Sequence, residues 1–153
     1  MSLVQVEKST VINAPPEKVA AFLRRPLNLV KIDRQVKHMR VVEESDRGAV
    51  VDLFGVFTII PYWVRLEIEF QEDGGFIAHR RIGPLKAFDT KFLLRPVEGG
   101  TQVIHIEAFD FYELIPGLAR PLFEPAVSRV VEEELYRMRR FVEEGWDTEI
   151  PWS

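Results

Sequence analysis

Hydrophobic and polar residues alternate with a period of two through the middle of the chain, the pattern of β-strands that bury one face. In the clearest stretch, residues 62–71, polar positions separate the apolar residues Tyr62, Val64, Leu66, Ile68 and Phe70. Similar runs, divided by turns rich in Gly and Asp, predict strands over residues 3–12, 36–42, 49–60, 76–82, 85–94 and 101–111.

Apolar residues recur every three or four positions between Phe123 and Val142, which predicts a long amphipathic helix that begins near Pro125. Gly145 follows the last apolar positions and suits a left-handed C-terminal cap. Residues 15–17 (PPE) predict the start of a short helix, and residues 27–32 predict a second one.

The order of these elements predicts an α+β fold. Six strands joined by hairpins, together with the N-terminal strand, give an antiparallel seven-strand curved sheet, and the C-terminal helix is the one predicted element long enough to cover its apolar face. We assign residues 1–145 to a single domain and residues 146–153 to a short C-terminal tail.

Composition and charge narrow the class of protein. The chain has 153 residues, of which 46% are hydrophobic and 29% charged, as expected for a soluble single domain. Without cysteine there is no disulfide framework and no zinc–thiolate site. A net charge of −4 argues against a nucleic-acid partner, and neither a transmembrane segment nor a signal peptide is visible, so we expect a cytoplasmic protein.

Three stretches carry a resemblance to a known superfamily: residues 12–19 (INAPPEKV), residues 83–88 (GPLKAF) and residues 100–103 (GTQV). In this order they resemble the helix-grip superfamily, which includes START lipid-transfer domains, the birch-pollen allergen and the bacterial polyketide-cyclase and coenzyme-Q-binding branch. The chain has Phe92 where that branch often has Trp. The resemblance implies a helix-grip fold with a ligand cavity between the sheet and the C-terminal helix.

Known catalytic motifs are absent from the sequence. It contains no G-x-S-x-G, H-E-x-x-H, P-loop or G-x-G-x-x-G pattern. The histidines His38, His79 and His105 fall on three different predicted strands. We therefore expect no metal site and no cofactor.

Two patterns disagree about the orientation of His105 and Glu107. Hydrophobic alternation would bury Ile104 and Ile106 and leave His105 and Glu107 in water, where charged side chains are commonly found. The register implied by the family resemblance instead turns His105 and Glu107 into the cavity. There they would form a polar pair able to hold a ligand or to act as a general acid and base.

The remaining candidate site residues come from the predicted inner faces. Arg80 is expected to point inward with Glu107 as its partner, the alternative being an exposed strand arginine. Thr58 is a further candidate polar contact, and residues 27–32 and the segment around Pro116 and Gly117 are expected to control access. The complete set of candidate ligand-binding residues is Tyr62, Val64, Leu66, Ile68, Arg80, Phe88, Thr90, Phe92, His105, Glu107, Phe109, Val127 and Val131.

Charged residues on the C-terminal helix predict a solvated face. Arginines and glutamates are interleaved there: Arg137, Arg139 and Arg140 with Glu132, Glu133, Glu134, Glu143 and Glu144.

Three hypotheses for the function follow. The first is binding or transport of a hydrophobic small molecule, such as a lipid, a quinone or a polyketide-like compound. The second is an enzyme of the cyclase, aromatase or dehydratase type, in which His105 or Glu107 moves a proton. The third is a ribosome-associated or other protein-interaction module, with an exposed apolar patch formed by Val50, Phe54, Ile104 and Ile106. Homodimer formation is left open.

Overall fold

Seven strands and three helices make up the part of the chain that the computed structural model describes, which is residues 3–57, 60–83, 87–110 and 120–152. The strands are β1 (Leu3–Ile12), β2 (Val36–Glu44), β3 (Gly48–Phe57), β4 (Ile60–Phe70), β5 (Phe76–Ile82), β6 (Ala87–Val97) and β7 (Gly100–Asp110). The helices are α1 (Pro16–Leu23), α2 (Leu29–Ile32), which follows a 3-10 turn (Pro26–Asn28), and α3 (Arg120–Glu144). None of these helices is long and apolar enough to cross a membrane.

All seven strands form one antiparallel sheet in the order β1-β7-β6-β5-β4-β3-β2. From β2 to β7, each strand pairs with the next one in the sequence. Strand β1 adds to the free edge of β7, with Val4 opposite Phe109 and Val6 opposite Glu107. This arrangement confirms the predicted α+β fold: a curved seven-strand sheet, two short helices after β1 and a long C-terminal helix.

Helix α3 covers the concave face of the sheet with its apolar stripe. It packs against β1, β7, α1 and α2, and its buried apolar residues are Val127, Val131, Leu135, Met138, Phe141 and Val142. Each buried side chain of this size stabilises the fold by roughly 1.5–3 kcal/mol. Gly145 ends the helix with φ +119° while its N–H donates to the Phe141 carbonyl at 3.0 Å, which confirms the predicted left-handed cap.

Several predicted boundaries were wrong. Helix α3 already includes Arg120, so Pro125 lies inside the helix. Because proline has no N–H, the helix lacks one backbone hydrogen bond at this position. The predicted strand over residues 49–60 ends at Phe57, and Ile60 already belongs to β4.

In β5, the pairing with β4 shifts in register between Arg65 and Leu66. This shift turns the Ile82 side chain outward, where it is 48% exposed.

The predicted outward apolar patch is incomplete. Phe54 is exposed and Ile104 and Ile106 are partly exposed, but Val50 is buried. Its cross-strand neighbours are Glu43 and Glu67, whose long side chains flank it on the outer face. One of the four residues assigned to the interaction patch is therefore unavailable for contact.

Arg137 contradicts the prediction of a uniformly solvated face on α3, because the residue is only 4% exposed. Its guanidinium donates to the backbone carbonyls of Lys31 at 2.7 Å, Ile150 at 2.8 Å and Pro151 at 3.2 Å, and it stacks on the Trp152 ring at 3.6 Å. Residue 137 lies one helical turn before Phe141, on the side of α3 that faces the protein. Arg137 thus fastens the C-terminal tail to α2 and α3.

Candidate functional site

His105 is the centre of a polar group enclosed between the sheet and α3. It lies on β7 with a relative exposure of 0%, and its ring stacks on Phe92 of β6 with centroids 4.0 Å apart. Its Nε2 lies 3.1 Å from the Thr90 hydroxyl and 3.4 Å from Glu107 Oε1. The reading that left His105 and Glu107 in solvent is wrong, because both share the inner face of β7 with Val103 and Phe109.

Glu134 reaches this histidine from the opposite side, out of α3. Its Oε2 lies 3.5 Å from His105 Nδ1. Burial raises the pKa of Glu134 well above its usual value, and the negative charges of Glu107 and Asp33 raise it further. Inside the protein, Glu134 is therefore more readily protonated than an exposed glutamate.

Asp33 and Tyr62 complete what we call the interior polar cluster: Asp33, Tyr62, Thr90, His105, Glu107 and Glu134. Burial of the carboxyl group, followed by the charge of Glu107, raises the pKa of Asp33 to about 7, although part of this residue reaches solvent. Burial and the nearby carboxyl groups also raise the pKa of Tyr62 above its usual value. Burial thus favours the neutral forms of Asp33, Tyr62 and Glu134.

Replacing Asp33 by asparagine is expected to stabilise the protein increasingly as the pH rises. The folded state holds the Asp33 proton up to about pH 7 and the unfolded state releases it near pH 4, so wild-type stability falls between these values. Asparagine still accepts the Gln35 N–H bond, which is 2.8 Å long in the wild type, and carries no charge. The variant's advantage should be larger at pH 8 than at pH 5 by roughly 1–3 kcal/mol, measured by urea unfolding.

The exposed turn residue Asp46 supplies the control for this experiment. Asp46→Asn should change stability by a similar small amount at both pH values. An advantage of Asp33→Asn that is the same at pH 5 and pH 8 would show that Asp33 is not desolvated in the folded protein.

Most residues singled out from the sequence lie on the inner surface around this cluster. Those that are buried are Val64, Leu66, Ile68, Thr90, Phe92, His105, Glu107, Phe109, Val127 and Val131. Tyr62, Arg80 and Phe88 are partly exposed. Thr58, Pro116 and Gly117 lie outside the described residues, as do residues 84–86 of the family-like stretch.

Arg80 does not form the expected pair with Glu107. Its Nη1 donates to the Gly83 carbonyl at 3.4 Å, and its buried Nε has no hydrogen-bond partner. Among the described residues, the ion-pair contact of Glu107 is His105. The histidine and Glu134 occupy the place that the sequence reasoning gave to a guanidinium.

Aromatic side chains gather at the end of the sheet where β3, β5 and β7 finish. Phe57 of β3 stacks on Phe123 of α3 with centroids 5.6 Å apart, and Phe88 of β6 packs on Phe109 of β7 at 4.9 Å. Phe57, Phe88 and Phe123 are each partly exposed. An apolar surface therefore continues from solvent toward the interior polar cluster at this end.

A curved antiparallel sheet wrapped around a long C-terminal helix is the architecture of the helix-grip class of proteins. The family model for polyketide cyclase/dehydrase and lipid transport matches residues 4–143, and the chain belongs to this family. This confirms the resemblance to the superfamily of START domains and polyketide cyclases. No curated protein sequence matches the chain significantly.

Solved structures share this fold at low sequence identity. The protein TTHA0849 from Thermus thermophilus is 21% identical with a TM-score of 0.80, covering 93% of this chain and 97% of its own. The Zhui aromatase/cyclase from a Streptomyces species is 16% identical with a TM-score of 0.80, and the match covers 93% of this chain and 94% of the Zhui chain. A START superfamily protein from Mycobacterium smegmatis is 11% identical with a TM-score of 0.75, and the match covers 92% of this chain and 97% of the other.

Proposed function

We propose that this protein binds a hydrophobic small molecule between the sheet and α3, with a carbonyl or hydroxyl group of the ligand held by the interior polar cluster. The observation that carries the proposal is the burial of His105, Glu107 and Glu134 on an otherwise apolar inner surface. Burying such groups costs free energy that an apolar core would avoid, so their presence there favours a role in recognition.

The charge of the cluster restricts the polar end of the ligand. The charge of Glu107 raises the pKa of both Asp33 and Glu134, and the charge of Asp33 raises that of Glu134 further. An anionic head group such as a fatty-acid carboxylate would be repelled there, whereas a ketone, quinone or phenol can accept or donate a hydrogen bond without adding negative charge. Among the candidate ligands, this favours quinones and polyketide-like compounds over fatty acids.

The aromatic end of the sheet supports the same proposal. Planar apolar ligands gain favourable stacking contacts with rings such as those of Phe57, Phe88 and Phe123. These rings lie where the inner surface meets solvent. A ligand that enters past them carries its polar group toward Tyr62 and the other members of the cluster.

Binding of 1,4-naphthoquinone and naphthalene tests the proposal, because the two differ in the carbonyl groups and hardly in shape. The chain has no cysteine, so the quinone forms no thiol adduct. By calorimetry we expect the quinone to bind at least about tenfold more tightly than the hydrocarbon, because one good hydrogen bond changes the dissociation constant by about this factor. His105→Leu should abolish this preference, and His79→Leu, at an exposed position, should leave it intact.

Equal affinity of the wild type for the two compounds, or binding of neither, would contradict the proposal. A complementary measurement is mass spectrometry of small molecules released when the freshly purified protein is denatured. Finding predominantly fatty acids would contradict the choice of ligand class.

A second candidate function, cyclase or dehydratase activity, is favoured by the contacts of His105 with two carboxyl groups. Its ring has Glu107 beside Nε2 and Glu134 beside Nδ1, so it is placed to take a proton at one nitrogen and release one from the other. Such chemistry closes a ring by removing a proton next to one carbonyl, adding the resulting carbon to a second carbonyl and then losing water.

Heptane-2,4,6-trione is a suitable probe for this second function. Carbon–carbon closure with loss of one water gives 5-methylbenzene-1,3-diol, whereas oxygen closure gives the isomeric pyranone. We expect the wild type to form the diol and His105→Leu to form none above the uncatalysed level, as separated by liquid chromatography. Absence of diol together with retained quinone binding would leave binding alone as the function.

A further inference from the structure

Three side chains of the interior polar cluster can converge on one point. His105, Glu107 and Glu134 each offer one nitrogen or oxygen atom, and these atoms lie within 4.8 Å of one another. All three residues are buried. An imidazole with two carboxylates is a donor set used for divalent transition metals in proteins.

Two of these donor groups have atoms without a hydrogen-bond partner. His105 Nδ1 and Glu134 Oε1 are fully buried and make no hydrogen bond. Leaving a buried polar atom unpaired is unfavourable, so two such atoms facing one cluster call for an additional partner.

The electrostatics of the cluster favour a cation as that partner. Among the described residues, neither Glu107 nor Glu134 forms an ion pair with a lysine or arginine. Asp33 adds a third carboxyl group whose charge acts on both Glu134 and Tyr62. A bound divalent ion would offset this negative charge and make both glutamates stable as carboxylates.

We propose that His105, Glu107 and Glu134 bind one divalent first-row transition-metal ion in the interior of the protein. His105 binds through Nδ1, while Nε2 faces the Thr90 hydroxyl at 3.1 Å, a contact that fixes the orientation of the ring. Three protein ligands leave at least one coordination position open. This proposal replaces the expectation of no metal, which rested on the separation of the three histidines and did not include a carboxylate from the C-terminal helix.

The donor set also predicts which ions bind. Mg²⁺ and Ca²⁺ prefer oxygen ligands alone, whereas an imidazole nitrogen suits Zn²⁺ and other late first-row transition-metal ions. Metal binding and ligand binding are separable proposals. The quinone preference can exist in protein without metal, and the metal can bind without any organic ligand.

Titration of the chelator-treated protein, free of any affinity tag, with Co²⁺ tests the site, because Co²⁺ bound to nitrogen and oxygen ligands absorbs visible light. We expect one Co²⁺ per chain, displaced by Zn²⁺ and retained in millimolar Mg²⁺. Glu134→Gln keeps the size of the side chain and should weaken binding by at least about 100-fold. Glu132→Gln on the exposed face of the same helix should change it less than about twofold.

Two outcomes would overturn the proposal. The first is failure of the wild type to bind Co²⁺ stoichiometrically. Binding that survives Glu134→Gln but is lost in His79→Leu or His38→Leu would assign the metal to the surface and also contradict the interior site. If Glu134→Gln proves unstable, Thr90→Val supplies a second variant, since it removes the hydroxyl that faces Nε2 and should weaken Co²⁺ binding by roughly 10-fold.

Discussion

Replacing Phe92 by alanine is expected to lower the free energy of unfolding by about 3–5 kcal/mol. Phe92 is 1% exposed, its ring lies 5.0 Å from that of Phe76, and its other neighbour is the His105 ring at 4.0 Å. With packed rings on both sides, truncation leaves a cavity that the strands cannot close. Urea unfolding monitored by circular dichroism measures the loss.

Phe54 is the matched control for this substitution. It lies on the outer face of the same sheet and is 49% exposed, so Phe54→Ala should cost less than about 1 kcal/mol. A loss of only about 1–2 kcal/mol for Phe92→Ala would contradict the packing described here. It would mean that one side of the Phe92 ring already borders open space.

Replacing Arg137 by alanine is expected to cost about 2–4 kcal/mol and to release the C-terminal tail. Three backbone carbonyls lose a charged donor, and the Trp152 ring loses the guanidinium stacked on it. Ile150, which is buried in the wild type, should become accessible. Urea unfolding measures the stability, and tryptophan fluorescence should shift toward longer wavelength as Trp152 leaves the surface of α3.

Arg129 on the exposed side of α3 provides the comparison. Arg129→Ala should change stability by less than about 0.5 kcal/mol and leave the fluorescence unchanged. Equal effects of the two substitutions would show that Arg137 acts only as a surface charge. In that case the hydrogen bonds to Lys31 and Ile150 would not hold the tail.

The fold was predictable from the sequence because local patterns determine it. Alternation from Tyr62 to Phe70 marks a strand with one buried face, and the helical repeat of Val127, Val131 and Met138 marks the helix that covers the sheet. The position of Gly145 gave the end of that helix for the same reason, since its left-handed conformation favours glycine.

The interior polar cluster was only half predictable. The alternation of hydrophobic and polar residues predicted that His105 and Glu107 are exposed, whereas the strand register implied by the family resemblance predicted that they are buried. In the structure both residues are buried. Glu134 was assigned to the solvated face because charged neighbours surround it in sequence. It stands seven residues after Val127, in phase with the buried stripe, and a glutamate at such a position was the available signal.

Asp33 could not have been found by sequence periodicity. It follows the four-residue helix α2, which is too short to show a face. The charge of Glu107 acts on it because of the way α2 packs against β2 and α3. Contacts between elements distant in sequence arise from tertiary packing, which hydrophobic periodicity does not encode. The same holds for the hydrogen bonds that join Arg137 to Lys31 and Ile150.

The side-chain nitrogen resonances of the three histidines provide the most direct test of the proposed binding site. His105 lies inside the polar cluster, whereas His38 and His79 are exposed on the surface. A long-range ¹H–¹⁵N correlation spectrum recorded during titration with 1,4-naphthoquinone observes all three at once. We predict that the His105 resonances shift in proportion to ligand occupancy while those of His38 and His79 stay in place. Saturable binding that leaves His105 unmoved, or that moves His38 or His79 instead, would contradict the site.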